Sequence, residues 1–379
     1  MISFAYEPGW VDDPDSFALD PALPLFPGEQ YPAGLPGVLA DAAPDRWGRT
    51  LIERREALAA RREERPRRHL DDWDFLIGVD DRTRMGALRL ASDADDGRFL
   101  AADSLPVPPL ARLRELEHWA QQAEEGVQAD TDEEERWLAM LVAPGSSLGG
   151  ARPKASYLDA GALWLAKFPS REDRHDVGAW EHVLTRLAGR AGIAVPETRL
   201  RRLGSAHRTF CAMRFDRAGG GRRHYASAMT LTGHADHENA SYLDIARAIV
   251  DFGDPEAIEA DLSELFRRVV FNVLTAGRDD HLRNHGFLHT GRGWRLSPAF
   301  DLNPIPSRQE HALALDDSLR TPDLAIVRET APYYRLTVDR AEELIDAVSS
   351  AIAEWPGLAR EAELPAEEIE RIGAGIGRG

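Results

Sequence analysis

Apolar positions recur at helical spacing through much of the chain and at strand spacing in a few short runs. The longest helical stripe is Leu262, Leu265, Phe266, Val269, Val270, Val273 and Leu274, which predicts a buried helix ended near Gly277. Trp180, Val183, Leu184, Leu187, Ala188 and Ala191 predict a second helix, capped by Gly192. Glu134 to Val142 reads as a third, stopped by Pro144-Gly145. The run Ala162 to Phe168 predicts a buried strand ending at Pro169, and Arg208 to Phe215 predicts another. Gly286 to His289 and Trp294 to Ser297 are two short strands around Thr290-Gly291-Arg292-Gly293, and helices resume from about residue 337. The first fifty residues hold Pro21, Pro24, Pro27, Pro32 and Pro36, which predicts short strands and turns in place of long helices. Arg84 to Leu90 also reads as a strand, and the acidic, small residues from Ala91 read as a linker ending near residue 105. Between Glu53 and Arg68, opposite charges at helical spacing predict a solvated helix.

With 379 residues, 43% of them hydrophobic, the chain can bury a full core in two or three packing units. The formal charge of -18 disfavours unaided binding to nucleic acid. One cysteine, Cys211, excludes an internal disulfide framework and fits a reducing compartment. The N-terminus shows no signal-peptide pattern, and no apolar run approaches the ~18 residues of a membrane span. A soluble, cytoplasmic protein without membrane contact is the expectation.

The order of features is a Gly-rich loop, a strand with a lysine, a helix with a glutamate, a strand, then a mostly helical half. That is the order of a two-lobed kinase with ATP between its lobes. The helix ending at Gly277 leads to Asp279, Asn284 follows five residues later, and Asp301 lies beyond the short hairpin. The hairpin should fold Asn284 and Asp301 toward each other as hard oxygen ligands suited to Mg²⁺, leaving Asp279 to accept a proton from a substrate hydroxyl.

Arg278-Asp279-Asp280-His281-Leu282-Arg283-Asn284 and Leu296-Ser297-Pro298-Ala299-Phe300-Asp301-Leu302 resemble the catalytic and metal loops of the HipA toxin kinases. Ser147 to Lys154 resembles their phosphate loop, Leu165-Ala166-Lys167-Phe168-Pro169 their ATP-lysine strand, and Met213-Arg214-Phe215-Asp216-Arg217 their hinge. Asp45-Arg46-Trp47-Gly48-Arg49 and Arg84-Met85-Gly86-Ala87-Leu88 resemble motifs of their N-terminal domain, so the likeness covers most of the chain.

The resemblance implies an α+β, protein-kinase-like fold of two lobes. A small β-rich N-terminal domain would cover 1–105, an N-lobe 106–217, and a mostly helical C-lobe 218–379. It implies a serine/threonine kinase using ATP and Mg²⁺, with Asp279, Lys167, Asn284 and Asp301 as catalytic residues and Asn284 and Asp301 holding the metal. Ser147, Gly149, Gly150, Ala151, Arg152, Pro153 and Lys154 would cover the phosphates, with Ser147 open to autophosphorylation. Lys167 would contact the α- and β-phosphates and pair with Glu181. Met213, Arg214 and Phe215 would line the adenine pocket, and His281, Arg283 and Phe300 would lie near the nucleotide. The setting implied is a toxin that phosphorylates a protein, such as a translation component. A HipB-like DNA-binding antitoxin would restrain it, so that DNA is met only through the partner.

Two features depart from the common pattern: Met213 stands where an acidic hinge residue is often found, and Asn303-Pro304-Ile305-Pro306 follows Asp301. Asp251-Phe252-Gly253 spells the kinase triplet but precedes the catalytic loop, and is read as a helix end. The competing readings are a catalytically silent kinase-like scaffold, a kinase for a non-protein alcohol, and a metal-dependent hydrolase. The last would use His281, His285 and His289, whose four-residue spacing would align them on a helix; a second possible metal pair, His234 and His237, reads better as a polar loop.

Overall fold

The computed structural model describes residues 2–93, 98–101, 106–126, 131–142, 152–236 and 238–377. Four strands form one antiparallel sheet in the order β1-β2-β4-β3: β1 is Lys154–Asp159, β2 Ala162–Lys167, β3 Thr198–Arg201 and β4 Thr209–Met213. Ala160 and Gly161 join β1 to β2 with φ of 49° and 82°, the left-handed pair that matches strand twist in a two-residue hairpin. The register places Ala155, Ala166 and Cys211 in one row and Tyr157, Trp164 and Met213 in the next. This apolar face meets Trp47, Leu51, Leu116, Ala120, Trp137 and Leu138 from the helices Arg46–Arg62, Leu113–Glu124 and Thr131–Val142. The other face carries the row Lys154, Lys167 and Phe210.

This sheet and its helices belong to a compact unit made of residues 38–178 and 197–225. A second unit gathers residues 1–37, 179–196 and 226–379. At its centre runs the helix Ile258–Leu274, whose predicted stripe is fully buried. The helices Val338–Ile352 and Tyr242–Phe252 pack beside it. Gly253 closes the latter, as expected of the decoy triplet. The helix Val177–Arg190 contributes Trp180, whose indole N–H donates to Glu368 Oε1 at 2.7 Å. The result is the mixed α+β, kinase-like arrangement expected.

The N-terminal expectation needs correction. Among the described residues no strand precedes Lys154, so the first hundred residues are not β-rich. Pro8 sits in the first turn of a short helix, where its missing N–H is no loss, and Phe4 and Gln30 make only an isolated bridge. Asp45 then caps the 17-residue helix Arg46–Arg62 by accepting from the Gly48 N–H. The charged stretch is thus helical only to Arg62. Arg84 to Leu90 is not a strand either. Gly86 takes φ 77°, and the buried Arg84 guanidinium donates to the carbonyls of Leu76 (2.8 Å) and Val79 (2.9 Å), which folds the segment onto the preceding helix. No described helix is long and apolar enough to cross a membrane.

Candidate active site

Ile258–Leu274 ends through a local device. Ala276 adopts φ 55° and the Gly277 N–H returns to the Asn272 carbonyl at 2.9 Å. The Arg278 guanidinium lies across the helix end, donating to the carbonyls of Asn272 and Val273, each at 3.2 Å. A cation there satisfies orphan acceptors and meets the negative end of the helix dipole. Arg278 Nη1 also lies 2.7 Å from His311 Nε2. Since a guanidinium only donates, His311 must accept, and its ring is neutral. Burial first, then the Arg278 charge, push the His311 pKa down to about 4.

The chain then turns outward at Asp279 and inward at Asp280. Asp279 is half exposed and pairs with Arg308. Asp280 is nearly buried, and its Oδ2 receives Tyr242 Oη at 2.7 Å, Asn272 Nδ2 at 2.7 Å and His285 Nε2 at 2.8 Å. Burial alone would raise its pKa, but His285 and the Tyr242 hydroxyl outweigh burial and leave it below the usual carboxylate value. Tyr242 is correspondingly pushed well up by its burial and by the Asp280 charge.

A short 3-10 turn, Leu282–Asn284, closes with the Asn284 N–H on the His281 carbonyl at 2.8 Å, and Asn284 is buried. The hairpin Gly286–His289 and Trp294–Leu296 follows, in the register Phe287↔Leu296. Asn284 lies just before its first strand, and the open end is closed by the Ser297 N–H on the Gly286 carbonyl at 2.8 Å. Arg268 braces that end from the central helix by donating to the Ser297 carbonyl at 2.7 Å. Asn284, Asp280, Phe300 and Leu302 line one small cavity with Asn272 and Arg268. Asp301 itself takes φ 59°, a left-handed backbone that costs a non-glycine residue about 1–3 kcal/mol and clusters at functional sites. Asn303 Nδ2 lies 3.3 Å from Asp301 Oδ1. An amide oxygen and a carboxylate make a hard donor set that suits Mg²⁺, which keeps several waters and takes few protein ligands.

The other expected site residues have the following surroundings. Lys154, expected to add charge over the phosphates, instead buries its ammonium against Asp45 Oδ2 at 2.6 Å. The register explains this: Lys154 stands directly opposite Lys167, and Asp45 neutralises one of two facing cations. Lys167 ends β2, buried, with Nζ 5.8 Å from the centre of the Phe210 ring. Arg152 pairs with Asp173 through both nitrogens, at 2.9 and 2.6 Å, and the Pro153 carbonyl receives the Phe168 N–H. Glu181 is buried within the helix Val177–Arg190. Arg214 has its backbone N–H on the Leu163 carbonyl and its guanidinium on Asp216. Phe215 leans on Tyr225. Arg283 reaches Asp236 at 2.8 Å. Ser147, Gly149, Gly150 and Ala151 lie outside the described residues.

The three histidines of the hydrolase reading are dispersed. His285 is held by Asp280, while His289 stacks on Phe17 at 3.6 Å and meets Trp294 edge-on. Among the described residues no group of three His, Cys, Asp or Glu could hold a metal ion. Sequence reasoning missed Asp280, Tyr242, Asn272, His311 and Arg308. Only Asp280 carried a signal, through its place in the Asp279 to Asn284 loop; Asn272 sits among the apolar residues of the preceding helix, and the others come from distant stretches.

Comparison with known proteins bears on the family of the chain. Residues 146–355 match the family model of the HipA-like C-terminal domain, and residues 1–91 that of the HipA N-terminal domain. A solved structure of a Shewanella oneidensis MR-1 toxin-antitoxin system, HipA with HipB and its operator DNA, is similar over 98% of this chain and 89% of that one. Its TM-score is 0.67 at 17% sequence identity. A putative kinase of Sinorhizobium fredii, Y4dM, is 28% identical over 202 residues, which span 49% of this chain and about half (48%) of that protein's length. Matched by both domain models, one of them over more than half its length, the chain belongs to the HipA family.

Proposed function

We propose that the protein is an ATP-dependent protein kinase that moves the γ-phosphate to a serine or threonine hydroxyl and acts as a growth-inhibiting toxin. The observation that carries this is the divergence of the catalytic loop. Asp279 faces outward where a hydroxyl can reach it, while Asn284 is drawn inward and lines a cavity with Phe300 and Leu302, the chain neighbours of Asp301. Asn284 and Asp301 hold Mg²⁺, which when bound neutralises phosphate charge. Asp279 orients the acceptor hydroxyl and receives its proton. Lys167 contacts the α- and β-phosphates and Glu181 fixes it. Phe300 and Met213 contribute to the adenine surroundings, and His281 and Arg283 lie beside the phosphates. The Gly149-Gly150 loop covers the phosphates, and Ser147 within it is a site of autophosphorylation; added negative charge there opposes ATP.

We further propose that a HipB-like DNA-binding partner restrains the toxin. The Shewanella relative is named in complex with HipB and operator DNA, and a chain of net charge -18 is a poor binder of DNA by itself. The test is incubation with γ-labelled ATP and Mg²⁺ beside Asp279→Ala, read by mass spectrometry. Label on Ser147 or on a protein acceptor, lost at least ~10²-fold in the variant, supports the proposal. Equal labelling in both, or ATP bound by neither, refutes it.

A further inference from the structure

Asp280 is a buried carboxylate for which the phosphotransfer scheme above has no use, yet three side chains from separate stretches bond to it. A buried carboxylate without compensation is costly, and this one is compensated by three donors that converge on a single oxygen. Tyr242 comes from the start of one helix, Asn272 from the last turn of another, and His285 from the residue after Asn284. Asn272 Nδ2 also donates to Tyr242 Oη at 3.1 Å, so the donors brace one another. Oδ1 of Asp280 makes no hydrogen bond to any described residue, and Asp280 shares its cavity with Asn284.

Two of these contacts act on the loop at its ends. Asn272 ties Asp280 to the helix that delivers Asp279. His285 is the residue through which the chain leaves Asn284, and its carbonyl is fixed by the Ala228 N–H at 2.7 Å. Two consecutive aspartates with opposite directions leave no slack: rotating Asp280 out of its pocket would swing Asp279 and release His285 together.

We propose that Asp280 is the positioning residue of this loop, setting the metal ligand Asn284 through His285 and the outward pose of Asp279 through Asn272 and Tyr242. The inference rests on the kinase reading given above. Supporting groups of this kind change metal affinity or activity by about 10–100-fold when removed.

The experiment is Mn²⁺ binding, followed by electron paramagnetic resonance with a non-hydrolysable ATP analogue, for the full chain, Asp280→Asn and Tyr242→Phe. Asp280→Asn replaces one carboxylate oxygen with a donor and should weaken Mn²⁺ binding about 10-fold or more, with kcat reduced ~10–100-fold and KM for ATP little changed. Tyr242→Phe removes one of three donors and keeps the carboxylate, so it should fold and show the same change in smaller degree, about 2–5-fold. A merely structural role would lower the melting temperature of both variants and leave Mn²⁺ affinity and kcat of the folded protein at wild-type values; that result overturns the inference. If Asp280→Asn fails to fold, Tyr242→Phe decides on the same readouts. Wild-type protein that binds no Mn²⁺ with the analogue overturns the kinase reading and this inference with it. Wild-type binding left unchanged in the variants overturns the inference alone.

Discussion

The contact between Arg278 and His311 makes stability depend on pH in a direction that can be worked out. His311 is buried and accepts from a guanidinium, so protonation would both break the 2.7 Å hydrogen bond and set two cations together. Its folded pKa of about 4 lies below the ordinary 6.5, so between these values the unfolded chain takes up the proton and the folded one does not. Stability from this group is therefore complete above about pH 6.5 and is lost as pH falls toward 4. A depression of about 2.5 units at 1.36 kcal/mol each gives about 3 kcal/mol, reached at a slope of at most ~1.4 kcal/mol per pH unit. The assay is urea unfolding at steps from pH 7 to 4.5, for the wild type and for His311→Gln. Glutamine can still accept from Arg278 but does not titrate. Many carboxylates titrate in both proteins, and the difference between the two curves removes them. That difference should shift against the wild type by about 2–3 kcal/mol across the range. Parallel curves, within ~0.5 kcal/mol, would refute a neutral His311 clamped by Arg278.

Further outcomes follow from other contacts. Asp216 is fully buried, accepts from Arg214, Arg217 and the Gly86 N–H, and is held below the usual carboxylate pKa against the cost of burial by the Arg214 charge. Asp216→Asn should destabilise its unit by about 3–5 kcal/mol in urea titration, because two largely desolvated arginines lose their counter-charge. Arg308 and Asp279 form a pair with both side chains about half exposed, so the contact is weak and screened by salt. Arg308→Ala should raise kcat/KM for a protein acceptor by no more than ~5-fold at low salt, the advantage shrinking toward 0.5 M salt. A fall of ~10-fold or more would mean that Arg308 serves the reaction directly.

Legibility in the sequence followed the range of the forces involved. The stripe from Leu262 to Leu274 was readable because each residue buries through its own helix period, and the hairpin before Asp301 because Thr290 to Gly293 marks a turn between short apolar runs. That Asp279 and Asn284 share one loop after the central helix was readable because they are neighbours in the chain. The N-terminal region misled because proline is an incomplete signal. It marks breaks in the chain, but Pro21, Pro24, Pro27, Pro32 and Pro36 do not say whether strands lie between the breaks, and the stretch forms turns with isolated bridges. Arg84 to Leu90 alternates like a strand, yet Arg84 is drawn inward by carbonyls and Gly86 turns the chain. Lys154 looked like a phosphate ligand because nothing local reveals Asp45, 109 residues earlier, as its partner. Tyr242 and His311 lie 38 and 33 residues from the loop groups they hold, and no spacing rule links them.

The way the two compact units share the chain bears on the order in which they can close. Residues 38–178 and 197–225 form one unit, so it can close once residue 225 has left the ribosome. The other needs residues 1–37, 179–196 and 226–379 together, and Trp180 waits for Glu368 to receive its N–H. At about 5–20 residues per second the remaining stretch takes roughly ten to thirty seconds to emerge. During that interval the segment bearing Asp279 exists without the helices that bury its supports. The unit that carries Asp279, Asn284 and Asp301 therefore closes after the unit that carries the four-stranded sheet.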